Sequence, residues 1–170
     1  SSIQHTNFSI NCNGKLVDLN TPKIMGILNL TPDSFSDGGK FNNEKSALLH
    51  AEKLLKDGAD FIDIGAQSTR PNAEYLSAEE EIRRIGNVIS LIKKEFPEAL
   101  ISIDTFYADV VKFGYNEGMD VVNDISGGDF DENLLPTVAE TRLPYILMHS
   151  NTSYATMHEK IHYEDITMSV

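Results

Sequence analysis

KIMGILNLTPDSFSDGG, residues 23–39, is an apolar run followed by a stretch that cannot continue it. KIMGIL (23–28) is a strand without polar alternation, as expected of a parallel strand covered on both faces. In the sequel Pro32 lacks an N–H, Asp33, Ser34, Ser36 and Asp37 favour turns, and Gly38-Gly39 permits positive φ. Phe35 is alone among them. A polar loop of this length is either disordered or built to meet a ligand, and the rest of the chain decides which.

The same rhythm recurs. Strand patterns fall at DFIDIG (60–65), LISID (100–104), MDVVND (119–124) and YILMH (145–149). Between them lie helical patterns. Ser46 to Lys56 places Ala47, Leu48, Ala51, Leu54 and Leu55 on one face; Ser77 with Glu80 forms a capping box opening a helix to about Phe96, before Pro97. Tyr107–Glu117 and Glu132–Thr141 supply two more, and FSINCNGKLVDL folds back on itself at Asn13-Gly14 as a hairpin. Repeated βα units make an α/β fold with a parallel sheet. Each strand ends in polar side chains: Asn29, Asp63 with Gly65, Asp104-Thr105, Asn123-Asp124 and His149-Ser150. Strand ends converge in that way in a (β/α)8 TIM barrel, whose βα loops form the active face. A doubly wound sheet usually carries a glycine-rich phosphate turn after its first strand, and no GxGxxG occurs. The expectation is one domain over 1–170: a barrel with an N-terminal hairpin, represented by about five βα units.

Composition narrows the partners. The 170 residues are 41% hydrophobic and 24% charged, ordinary for a globular domain. Lys+Arg 14 against Asp+Glu 26 gives −12, which argues against nucleic acid or an anionic membrane as partner. The single Cys12 precludes an internal disulfide. With no signal-peptide pattern and no apolar run near the ~18 residues of a membrane span, a cytoplasmic address is expected.

The stretches ILNLTPDSFSDGG, IDIGAQSTRP, SIDT, VVNDISGG and LMH, in this order and spacing, resemble dihydropteroate synthase. The resemblance implies a (β/α)8 barrel that joins 6-hydroxymethyl-7,8-dihydropterin diphosphate to p-aminobenzoate, assisted by Mg2+, with sulfonamides as inhibitors and a homodimer as the full-length form. It also implies roles. Asn29 would meet the metal, Thr69 the diphosphate, and Arg70 the mouth of the amine site. Asp104 and Asn123 would hold the pterin between apolar walls from Ile125 and Met148. Phe35 would help form the p-aminobenzoate pocket after the pterin diphosphate binds.

Each residue type suits its task, and each has a plainer alternative. Asn29 offers a neutral oxygen to a hard cation, or serves only to satisfy loop backbone. Thr69 and Arg70 pair a hydroxyl with a fork of charged donors for an anionic oxygen; alone, Arg70 would read as a solvated residue in a Pro-flanked turn. A buried Asp104 must be paired, protonated or bound to a donor-rich ligand, or else it caps the helix beginning near Tyr107. Asn123 can both donate to and accept from a heterocycle. Ile125 and Met148 are otherwise plain core residues. Phe35 is a lid over an aromatic substrate or a stray exposed ring. Gln67 and Asn72 stand where many family members have Glu and Gly, which bears on that loop's conformation. His149, His158 and His162 match no zinc spacing.

Two other functions remain possible from sequence: the pterin-binding barrel of a corrinoid-linked methyltransferase, and a noncatalytic pterin-binding remnant. TPDSFSDGG and STRP argue against the first, which needs neither a diphosphate nor an amine loop. A barrel of this kind takes roughly 250 residues, and the chain stops at Thr167-Met168-Ser169-Val170 inside a helix-like pattern. These 170 residues alone are therefore expected to be inactive, with unpaired sheet edges prone to association.

Overall fold

The computed structural model describes residues 9–18, 22–30, 40–67, 74–124, 130–148, 161–162 and 166–169. A hairpin comes first, β1 (Ser9–Cys12) and β2 (Lys15–Asp18). Its two-residue turn places Asn13 at φ 53 and Gly14 at φ 91, the left-handed pair that lets the strands keep their twist. Asn11 Oδ1 accepts from the Gly14 N–H at 2.7 Å.

Five parallel strands follow in sequence order: β3 (Ile24–Asn29), β4 (Phe61–Gly65), β5 (Leu100–Asp104), β6 (Val121–Asp124) and β7 (Tyr145–Met148). They are connected through α1 (Lys40–Lys56), the pair α2 (Ala78–Ile85) and α3 (Val88–Glu95), α4 (Ala108–Glu117) and α5 (Leu134–Thr141). Each strand lies beside its predecessor without a switch in order, which excludes the doubly wound alternative.

The sheet curls. β3 and β6 are three strands apart, about 14 Å in a flat sheet. Yet Asn123 Nδ2 on β6 lies 3.9 Å from Met25 Sδ on β3. Only a barrel-like interior brings them together. Alternate residues therefore divide between two cores. Leu28, Ile62, Ile64, Ile101, Ile103 and Val122 pack outward on the helices, while Met25, Phe61, Val121 and Ile146 pack inward. Both faces are buried, which is why the strands read as unbroken apolar runs. Gly26 faces α1 so closely that a Cβ there would meet Ala59 Cβ at 3.0 Å and Leu54 Cβ at 3.1 Å.

Cys12 and Val17 of the hairpin join the inward cluster, so β1–β2 plugs the N-terminal end of the interior. Burial pushes the Cys12 thiol up to about 12, with nearby Asp120 adding to the shift, so this thiol stays protonated. At the same end Lys93 forms an ion pair with buried Asp120, which also accepts from the Ile101 N–H at 2.8 Å. Lys15 Nζ reaches the Pro97 carbonyl at 2.7 Å.

Several expectations are revised. The helix expected from Ser77 to Phe96 is two helices, because Gly86 at φ 49 interrupts it. Its start holds: Ser77 Oγ accepts from the Glu80 N–H at 3.1 Å. The first helix begins at Lys40, earlier than the apolar periodicity from Ser46 indicated. The described residues near the C-terminus are strands, not the helix expected there. Ile166–Ser169 forms β9, antiparallel to β7, and Ile161–His162 forms β8, antiparallel to β3. Backbone groups at a sheet edge need partners; β9 covers β7 and β8 covers Ile24 and Met25 of β3, so the sheet ends in β8 and β9 instead of in β3 and β7. Among the described residues no helix is long and apolar enough to cross a membrane.

Candidate functional site

Inward residues become polar towards the C-terminal ends of the strands. The lowest level is apolar, with Met25 beside Phe61 and Phe61 beside Leu100. Above it Asp63 stands beside Ser102, and above that one row crosses four strands: Asn29 beside Gly65, Gly65 beside Asp104, Asp104 beside Asn123. Three of the expected site residues thus meet in a single row. Gly65 keeps it open, since a Cβ there would lie 3.7 Å from Asp104 Cβ and 3.9 Å from Asp104 Oδ2.

Burial and crowding of acids set the electrostatics. Desolvation pushes the Asp104 carboxyl well above its ordinary range, and the charges of Asp63, Glu81 and Asp124 push it further. Asp63 is raised to about 6 by burial, partly offset by hydrogen bonds from Ser102 and Asn123. Glu81, wholly buried on α2, is pushed up to about 7, with the side chains of Gln67 and Thr105 offsetting part of the burial. A donor-rich or cationic ligand edge at Asp104 would relieve its share of this crowding.

Asp104 does not cap the following helix. Tyr107 is the N-cap of α4, and the Ala108 N–H is taken by Asp131 Oδ2 at 2.8 Å. That leaves Asp104 available to a ligand. Two buried oxygens in the row, Asn29 Oδ1 and Asn123 Oδ1, have no hydrogen-bond partner. An orphaned neutral amide oxygen at Asn29 fits a hard cation such as Mg2+, which keeps most of its waters and bridges phosphates. Among the described residues no group of three or more His, Cys, Asp and Glu could hold a metal.

Two features escaped the sequence reading. Gln67 brackets Leu76 across the residues between them, accepting from Leu76 N at 2.9 Å and donating to Leu76 O at 3.2 Å. Beside it Tyr75, Phe106, Tyr107 and Phe130 form an aromatic cluster, with Phe106 and Phe130 ring centroids 4.0 Å apart. The available signal was position: Phe106-Tyr107 follows directly on Asp104-Thr105. Phe35, Thr69, Arg70, Asn72 and Ile125 lie outside the described residues, as do His149 and His158; Met148 ends β7, where only the backbone is described.

The polar groups of Asn29, Asp104 and Asn123 lie in one row at the C-terminal ends of the parallel strands. The model of the family described as pterin binding enzyme matches residues 25–170. The chain belongs to the pterin-binding enzyme family. It is 42% identical to the dihydropteroate synthase of Haemophilus influenzae, over 93% of this chain and 57% of that protein. With the mitochondrial folate synthesis bifunctional protein of Arabidopsis thaliana it shares 44% identity, over 89% of this chain and 28% of that protein. Among solved structures, Xanthomonas albilineans dihydropteroate synthase with 4-aminobenzoic acid superposes at TM-score 0.77 and 37% identity, covering 86% of this chain and 53% of that one. The Yersinia pestis dihydropteroate synthase in a sulfonamide drug complex gives TM-score 0.73 at 42% identity, covering 84% and 51%. The chain spans about half the length of the dihydropteroate synthases it matches. Like them, this pterin-binding family member is an α/β barrel, here in its hairpin and five parallel strands.

Proposed function

We propose that the whole protein to which this chain belongs is a dihydropteroate synthase. It condenses 6-hydroxymethyl-7,8-dihydropterin diphosphate with p-aminobenzoate, giving 7,8-dihydropteroate and diphosphate. The observation that carries the reading is the row Asn29–Gly65–Asp104–Asn123, in which a carboxylate and two unpartnered amide oxygens face one interior. A dihydropterin edge is rich in N–H donors and matches those acceptors.

In the reaction the amine nitrogen attacks the pterin methylene carbon. The C–O bond breaks with its electron pair leaving on the diphosphate, and the amine's proton passes to solvent. Asp104 takes ring donors and, as a carboxylate, favours the positive charge that spreads into the ring as the bond breaks. Bound Mg2+ would stabilise charge on the leaving diphosphate, with Asn29 as its protein ligand. Thr69 contributes a hydroxyl to the diphosphate, and Arg70 and Phe35 shape the p-aminobenzoate site, where sulfonamides compete. Ile125 and Met148 wall the pterin. The methyltransferase alternative leaves TPDSFSDGG and STRP without a purpose.

The test is condensation by the full polypeptide with Mg2+ and both substrates, measuring dihydropteroate and released diphosphate together. One diphosphate per dihydropteroate is expected. Pterin binding without condensation would overturn the synthase in favour of a binding protein.

A further inference from the structure

The polar level beneath Asp104 has no part in the reaction as written. Asp63 on β4 is 5% exposed, and Ser102 on β5 is fully buried. Ser102 Oγ donates to Asp63 Oδ1 at 2.7 Å, and Asn123 Nδ2 donates to Asp63 Oδ2 at 3.2 Å. Each carboxylate oxygen thus has its own donor. Asn123 Nδ2 also approaches Met25 Sδ, a weak acceptor, at 3.9 Å. An amide nitrogen carries two hydrogens, and both are engaged. What remains is Asn123 Oδ1, buried and without a partner in a residue 1% exposed.

The opposite orientation of this amide would set Oδ1 against the Asp63 carboxylate, acceptor against acceptor, inside a dry interior where such a mismatch is costly. Asp63 therefore decides which end of Asn123 faces the ligand. We propose that Asp63 is a positioning residue that locks the Asn123 amide with its oxygen towards the bound heterocycle, so that this part of the pocket accepts only a ring presenting an N–H donor there. Ser102 in turn holds Asp63. The inference rests on Asn123 as a pterin contact, and it narrows the expectation that Asn123 both donates and accepts. A site built around one buried acceptor rejects a ring that places its own acceptor opposite, because both groups then lose their partners.

The experiment is calorimetric titration of the full polypeptide with 6-hydroxymethyl-7,8-dihydropterin diphosphate, in wild type, Asp63→Ala, Asn123→Ala and the double variant, each with its thermal midpoint. Asn123→Ala and Asp63→Ala should each weaken binding at least about tenfold. The double variant should bind no more weakly than Asn123→Ala, because the lock acts through that amide and removing the Asp63 charge, which holds the Asp104 carboxyl up, does not weaken the Asp104 contact. Ser102→Ala repeats the logic more gently if Asp63→Ala does not fold: a several-fold loss in wild type and none in the Asn123→Ala background. Multiplying losses in the double variant would overturn the lock, as would wild-type affinity in a folded Asp63→Ala. Wild-type affinity in Asn123→Ala would overturn the pterin reading of the row together with the lock.

Discussion

Gln67 spends both ends of its amide on one residue, Leu76: Oε1 accepts from the backbone N–H at 2.9 Å and Nε2 donates to the carbonyl at 3.2 Å. The Leu76 carbonyl also accepts from Tyr107 Oη at 2.5 Å. Together these bonds tie the end of β4 to the approach to α2 and to the residues just after Asp104. Gln67→Ala should leave the Leu76 N–H without a partner and cost about 1–3 kcal/mol. Denaturant unfolding of the full polypeptide checks this; an unchanged midpoint would mean that the bracket carries no stability.

Gly65 separates Asn29 from Asp104 in the row, and its lack of a side chain leaves the space beside the Asp104 carboxylate open. Gly65→Val should fill that space. Because Gly65 is not among the positive-φ glycines, the backbone accepts the new residue, and valine favours strands. The expected outcome is a folded protein whose affinity for pterin diphosphate falls at least about tenfold. Circular dichroism and calorimetry on the same sample separate the two effects.

Glu81 gives a stability signature with a definite sign. Burial pushes its carboxyl from 4.5 up to about 7, while the unfolded chain ionises it in the ordinary range. The folded protein therefore holds more protons between those values. Its stability is full below the lower one and falls as pH rises through the upper. Glu81→Gln should remove that loss, making the variant more stable than wild type by about 1–3 kcal/mol above neutral pH. The difference should vanish in acid. Unfolding curves at several pH values test it, and a variant less stable at every pH would contradict the account.

The sequence disclosed the architecture because the inner and outer faces of β3 to β7 are both buried, so every strand announces itself as an apolar run. It also singled out Asn29, Asp104 and Asn123, which the sheet register brings into one row, since polar residues ending such runs need a reason to be there. It could not disclose that, besides approaching Met25 Sδ, the Asn123 amide donates to Asp63. That contact spans 60 residues and depends on the sheet curling over β5. Nor could it place the break at Gly86, where apolar periodicity continues on both sides of the turn. The pairing of β9 with β7 was hidden for a related reason: edge strands are chosen by unsatisfied backbone, and short apolar segments read equally well as helix.

In the proposed reaction Asp104 receives the donors of a dihydropterin. Its carboxyl is pushed well above the ordinary range by burial and by Asp63, Glu81 and Asp124, so Asp104→Asn should cost the free protein little stability. The decisive measurement is the affinity of the full polypeptide and its Asp104→Asn variant for 6-hydroxymethyl-7,8-dihydropterin diphosphate, by calorimetry. The account predicts a loss of at least about tenfold at an unchanged or higher thermal midpoint, since a charged hydrogen bond contributes about 1.5–3 kcal/mol. Equal affinity in the two proteins would contradict it.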